Sequence, residues 1–394
     1  MLGIGAILER RKFHLKKATP KIQAAHPHRQ TQIIVLLFIV GVMILGLVTL
    51  LATDGRQLLK VIHQLDLLSL IFAFICVGGA YVSLGLSFSS IFKMAHHHIP
   101  FGRLFVITFI SATFNYIISS GGMSTMAVRS FLLKHEKVPY SVSIPLSFAQ
   151  NMIFNLVLSC VCLGGVIYLR NHQEFIGPDK QIFVLLFMLG LIGVVVLMVM
   201  VFFNRRFRRW FLTYLLMLVD WVKQMLSRLF AWKWIKVWGK PQKPIAQALK
   251  IKALLDEVEI SVKYLHQGWT KLLIVLFWVS MDWFSTALTL FFCFRAAGVH
   301  LSFGLLLVGF AVEFLTSTVN VVPAGLGVTE GSMVAVFMLL GVDKSQAFVA
   351  VLLFRVIFFL IPLAIATVMY LDTMRTLWAS HVEHEKPKVP AYPK

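Results

Sequence analysis

Apolar residues run along this chain in blocks of about 20, each long enough to cross a hydrocarbon core of about 30 Å. Short polar or basic stretches separate them. Six blocks read as full spans, at 32–53, 67–92, 140–169, 181–203, 272–294 and 346–371. Two more, at 101–133 and 302–340, are broken in the middle. The first break, NYIISSGGMSTMAVR, sets Gly121 and Gly122 among Ser119, Ser120 and Ser124, which is turn chemistry and not helix-interior chemistry. The second contains Asn320, Pro323, Gly325 and Gly327. The pattern predicts an all-α polytopic membrane protein in which two helical hairpins enter, turn and return beside six full spans.

The two broken segments share a plan. PFGRLFVITFISATFNYIISSGGMSTMAVR and SFGLLLVGFAVEFLTSTVNVVPAGLGVTEG both open on Phe-Gly. Each continues through apolar and small residues to Ser, Thr or Asn, and reaches a Gly-rich break at nearly the same distance. This is an internal repeat. Hairpins return to their own side, so three spans lie between the copies and the second is inverted relative to the first. Arms that cross fully give ten helices with the same parity. Inverted repeats with broken helices meeting near the midplane are a recurrent transporter design.

Composition agrees. Of 394 residues 58% are hydrophobic and 14% charged, which places the chain in a membrane. The net charge of +20 would suit a nucleic-acid binder, but the Lys and Arg cluster beside the apolar runs, the positive-inside signature. The chain divides into a basic N-terminus (1–30), a first membrane half (31–203), a basic connector (204–270), a second half (271–371) and a tail (372–394). Both termini are expected in the cytoplasm of a prokaryote, at its inner membrane. The first apolar run lacks a small-residue cleavage site, so a retained helix is expected there and not a signal peptide. Within the connector, Trp210, Trp221, Trp232, Trp234 and Trp238 alternate with Lys and Arg, as in a helix lying among lipid headgroups. A surface-bound spacer and a regulatory site are both compatible with it, and its charge suggests contact with anionic lipid. Cys76, Cys160, Cys162 and Cys293 all fall in apolar segments and read as packing residues.

Candidate chemistry rests on charges placed in hydrocarbon. Asp282 and Arg355 lie about halfway along their spans, Glu313 and Glu330 on opposite arms of the second hairpin, and Arg129 just past the first break. A charge at mid-bilayer costs about 2.5–3.5 kcal/mol or more, so each needs a partner or a cavity. One reading is purely structural: Arg129 pairs with Glu330, and Arg355 with Glu313 or Asp282. Glu330 could also simply start a helix after the Gly-rich turn. The other reading is a polar translocation chamber, with Asn320 and other amides lining it. His96, His97 and His98 read as interfacial residues, and no metal or other cofactor is expected. No nucleotide-binding, zinc-protease or hydrolase motif is present, which leaves a gradient, or nothing, as the energy source.

The stretch PAGLGVTEG, with Gly341-Val342, Ala347 and Arg355 following, resembles the membrane region of lysylphosphatidylglycerol synthases. Pro323, Gly325, Gly327, Glu330 and Arg355 match that pattern, and Arg129 after Gly121-Gly122 looks like the basic residue of the first repeat. In bifunctional members this region is taken to flip the aminoacylated lipid, while a soluble domain makes it. Here no such domain follows the last span, so the resemblance implies a flippase for lysyl-phosphatidylglycerol or another modified or anionic phospholipid, with no catalytic residue of its own. Two alternatives stay open: a membrane-embedded transferase using a polyprenyl-linked donor, and a non-catalytic partner subunit of a lipid-modifying enzyme. A homo-oligomer is compatible with each.

Overall fold

A computed structural model describes residues 61–95, 97–118, 123–172, 181–211, 213–214, 217, 259–260, 268–319 and 327–385. They lie within one unit, Thr53–Lys394. The described helices are α1 (Leu67–Met94), α2 (Phe101–Ile118), α3 (Met123–His135), α4 (Tyr140–Asn171), α5 (Gln181–Phe203) and α6 (Trp269–Ala296). They continue with α7 (Phe303–Val319), α8 (Val328–Leu339), α9 (Lys344–Arg355), a π-helical turn (Val356–Leu360) and α10 (Ile361–Glu385).

Five stretches are long and apolar enough to cross a membrane: Leu67–Met94, Tyr140–Asn171, Val184–Phe203, Thr270–Ala296 and Lys344–Thr376. They correspond to five of the six expected spans, and the shorter pairs α2/α3 and α7/α8 to the two expected hairpins. The protein is therefore an all-helical, multi-pass membrane protein. The expected first span at 32–53, the break residues Gly121, Gly122, Asn320, Pro323 and Gly325, and most of the connector lie outside the described residues.

The helices start and pack for identifiable reasons. The Asp66 carboxylate accepts from the backbone N–H groups of Leu68 (3.1 Å) and Ser69 (3.2 Å), satisfying donors that the first turn of α1 leaves open. The Asp66 N–H in turn donates to the Ala296 carbonyl at 3.1 Å, which ties the start of α1 to the end of α6. α1 and α6 pack along each other as the central antiparallel pair, with small residues such as Ala73, Ala80 and Ala287 buried. At the α4–α7 contact, a Cβ added to Gly165 would lie 2.7 Å from the Leu307 backbone. In lipid such close approach, and not a hydrophobic force, holds helices together.

The packing repeats. α3 sits on α4 as α8 sits on α9, α1 meets α2 as α6 meets α7, and α4 meets α7 as α10 meets α2. Exchanging α1 with α6, one hairpin with the other, and α4 with α9–α10 maps each of these contacts onto another. That is the contact pattern of a duplicated unit with a pseudo-twofold relation.

The last span departs from α-helix directly after Arg355. Pro362 has no N–H to offer the Phe358 carbonyl four residues back, and the backbone passes through a π turn there. The Tyr81 hydroxyl of α1 donates to that carbonyl at 3.2 Å. At the far end of α5, Arg208 Nη1 donates to the carbonyls of Val201 (3.0 Å) and Phe202 (3.1 Å). Arg205 and Arg209 hold Glu259 at the other end of the connector, and these hydrogen bonds, Arg209 foremost, lower its carboxyl from an ordinary 4.5 to about 2. A lowered folded-state value means that this contact stabilises above an ordinary carboxylate range and is lost only as pH falls towards 2, so it persists at any physiological pH.

Candidate functional site

Two polar centres occupy corresponding places in the two halves. In the first, Arg129 on α3 is 2% exposed. Its Nε donates to Ser111 Oγ on α2 at 3.2 Å, and its Nη1 to Gln150 Oε1 on α4 at 2.5 Å. The guanidinium lies 3.9 Å from the centroid of the Phe88 ring on α1, a cation–π contact worth about 2 kcal/mol when desolvated. A guanidinium only donates, so the Gln150 amide must turn its oxygen to it and its nitrogen away. That nitrogen donates to Ser87 Oγ (2.6 Å) and to the Leu84 carbonyl (3.2 Å) of α1. Four helices thus converge on one cation. Among the described residues no carboxylate pairs with it. Across the break, Ser124 Oγ on α3 donates to Asn115 Oδ1 on α2 at 2.6 Å and joins the two arms.

In the second half the centre is an ion pair. Glu330 Oε1 lies 2.9 Å from Arg355 Nε, with the side chains 4% and 9% exposed. The pair is off the line of a good hydrogen bond, so the attraction is mainly ionic. The other oxygen, Oε2, accepts from the Gly327 N–H at 2.7 Å. Gly327 has φ of +84°, a backbone that favours glycine, and it begins α8. Glu330 therefore both starts a helix and holds a charge. Glu313 on α7 is half-buried within electrostatic reach of Arg355 and Glu330.

The expected pairing of Arg129 with Glu330 is corrected by this arrangement. Each is satisfied inside its own half, because the second arm of each hairpin packs on the span that follows it. Arg355 takes Glu330 as its ion-pair partner, not Asp282, with Glu313 nearby. Asp282 is buried on α6 at 6% exposure, near Tyr81 of α1, and no cation pairs with it among the described residues. Asn320 and the other break residues Gly121, Gly122, Pro323 and Gly325 lie outside the description.

Sequence reasoning named the charges but not their supports. Ser87, Ser111, Phe88 and Tyr81 were not legible as site residues, since serine in a span is commonly just a packing residue. The one faint signal is the run of serines on α1, of which Ser83, Ser87 and Ser89 are buried.

A separate cleft of about 660 Å³ lies at the end of the bundle where α4 and α6 finish and α9 begins. Tyr168, His172, His300, Ser302, Asp343 and Gln346 contribute to its wall, and none of Arg129, Asp282, Glu313, Glu330 and Arg355 does. By topology this end is opposite the Arg205–Arg209 cluster, since α5 runs from one to the other.

Comparison with known proteins places these centres in context. The family model described as "Lysylphosphatidylglycerol synthase TM region" matches residues 33–366. The phosphatidylglycerol lysyltransferase of Staphylococcus aureus strain MRSA252 is 27% identical over 111 residues, which are 28% of this chain and 13% of that protein. The same protein from strain COL is 26% identical over 111 residues, with the same coverage. These matches span 13% of the length of the relatives.

Proposed function

The chain belongs to the lysylphosphatidylglycerol synthase transmembrane-region family, and from that premise we propose that this lipid-related membrane protein is a flippase-like transporter of a phospholipid. It carries the lipid across the cytoplasmic membrane of a prokaryote, with both termini on the cytoplasmic side. The observation that carries the reading is the opposite electrical character of the two equivalent centres. The first presents a buried guanidinium that no carboxylate pairs with among the described residues. The second gathers two carboxylates around one guanidinium. A phospholipid carries a phosphate that suits the first. An aminoacylated or other cationic headgroup suits the second, at Glu313 and Glu330. Asp282, buried within the central helix pair, belongs to the same polar path, while Asn320 lies outside the described residues.

Moving a headgroup through hydrocarbon is costly because its charges lose water, and fixed partners along the path offset that loss. The second arms of the two hairpins carry Arg129 and Glu330, two such partners.

The test is redistribution of a headgroup-labelled lysyl- or unmodified phosphatidylglycerol in liposomes containing the purified protein, read with a membrane-impermeant quencher. Redistribution is expected to be faster than in empty vesicles and to fall to the empty-vesicle rate in a variant carrying both Arg129→Gln and Glu330→Gln. No acceleration with either lipid, or full activity in the double variant, overturns the proposal.

A further inference from the structure

We propose that Gln150 is an exchangeable stand-in for a lipid phosphate: a neutral acceptor that holds Arg129 in place and yields it to a phosphodiester anion. This rests on the reading of Arg129 as the phosphate contact and names the residue that sets its selectivity.

The argument begins with the difference between the two centres. Both link the second arm of a hairpin to the following span through a buried polar contact. In the second half the partner of the cation is a carboxylate, and separating them leaves two uncompensated charges away from water. In the first half the partner is an amide, which accepts one hydrogen bond and cancels no charge. The surroundings of Arg129 supply further neutral contacts, Ser111 Oγ and the Phe88 ring. Two of its N–H groups thus meet neutral acceptors, and among the described residues no carboxylate opposes the charge.

Gln150 is itself fixed. Its Nε2 is held by Ser87 Oγ and the Leu84 carbonyl, and at 3% exposure it has no freedom to swing into solvent. It stays on the α1–α4 side when the α2–α3 hairpin moves. The guanidinium moves with α3 and exchanges the amide oxygen for the stronger, charged oxygens of a phosphodiester. Gln150 is thus a positioning residue: it acts through Arg129. A carboxylate at position 150 would keep the hydrogen bond and remove the vacancy for an anion.

The experiment measures binding to purified protein in detergent, by tryptophan fluorescence, of short-chain phosphatidylglycerol and of a phosphate-free glucosyl lipid with the same chains. Inorganic phosphate is added as a competitor. The wild type is expected to bind the phosphatidylglycerol more tightly than the glucosyl lipid. Gln150→Glu is expected to lose at least about tenfold of the phosphatidylglycerol affinity, the scale of one charge-assisted hydrogen bond, with glucosyl-lipid binding unchanged. Gln150→Met, which removes the acceptor without adding charge, keeps the preference for phosphatidylglycerol. Competition by inorganic phosphate assigns the site to the anion alone, and no competition assigns it to the lipid phosphodiester; both support the proposal. Equal phosphatidylglycerol affinity in wild type and Gln150→Glu overturns it, as does a wild type with no preference over the glucosyl lipid. Because binding is read and not movement, the anion site can stand even if the liposome assay shows no flipping.

Discussion

Arg355 shows how much one side chain can hold in this protein. Its partner Glu330 is tied at the other oxygen to the start of α8, so a single carboxylate links the Gly-rich break, the second arm and the last span. Removing one member of a buried pair leaves a bare charge and costs about 3–5 kcal/mol, whereas replacing both is far milder. Arg355→Met is therefore expected to lower the thermal unfolding midpoint in detergent strongly. Glu330→Gln combined with Arg355→Met should recover part of the loss. Additive losses in the double variant would mean that the contact contributes little. At this scale the sequence was informative about which residues matter and silent about whom they meet. The motif picks out Glu330 and Arg355, and mid-span placement picks out Asp282. Partner choice depends on packing between segments far apart in the chain, such as Gln150 with Leu84 or Tyr81 with Phe358, and no local pattern encodes it.

Helices were far more legible than their faces. Hydropathy sets the ends of a span because the bilayer fixes its length, so the block expected at 181–203 is α5 itself, and α1 runs only slightly beyond the block expected at 67–92. What hydropathy leaves open is which side of each helix meets its neighbour, since lipid and protein interior are equally apolar. The adjacent glycines of α4 make the point. An added Cβ at Gly164 meets nothing within 4 Å, while at Gly165 it collides with the backbone of α7. Gly164→Ala is expected to be neutral or to stabilise by up to about 1 kcal/mol, the helix-propensity gain. Gly165→Ala should cost about 1–3 kcal/mol through overpacking, because a backbone cannot step aside as a side chain can. Matched thermal unfolding of the two variants decides it, and equal midpoints would mean that α4 and α7 do not approach so closely.

For the whole molecule, the decisive issue is whether the two halves face opposite ways. Their internal contacts correspond pair for pair, and the equivalent helices α1 and α6 run antiparallel; which face of the membrane each end meets is a separate matter. Direction follows from the count of crossings between equivalent points. His98 and His300 are such points: each is exposed and stands three residues before the Phe that opens its hairpin. Between them lie the α2–α3 hairpin, which returns to its own side or crosses twice, and then α4, α5, the basic connector and α6, so an odd number of crossings separates them if the connector stays on one side. An odd number puts the two histidines on opposite faces, with the basic cluster after α5 fixing the cytoplasmic one. In a background lacking the four native cysteines, His300→Cys is expected to react with a membrane-impermeant maleimide on intact cells. His98→Cys should react only after permeabilisation. Labelling of both from one side would make the repeat parallel, and a parallel pair cannot exchange inward and outward openings by swapping the conformations of its halves. Opposite labelling instead places the Arg129–Gln150 centre in the hairpin entered from the cytoplasm and the Glu330–Arg355 centre in the hairpin entered from outside. The neutral, exchangeable contact would then guard the cytoplasmic approach and the full ion pair the external one, so the first step open to a phosphate arriving from the cytoplasm is the displacement of Gln150.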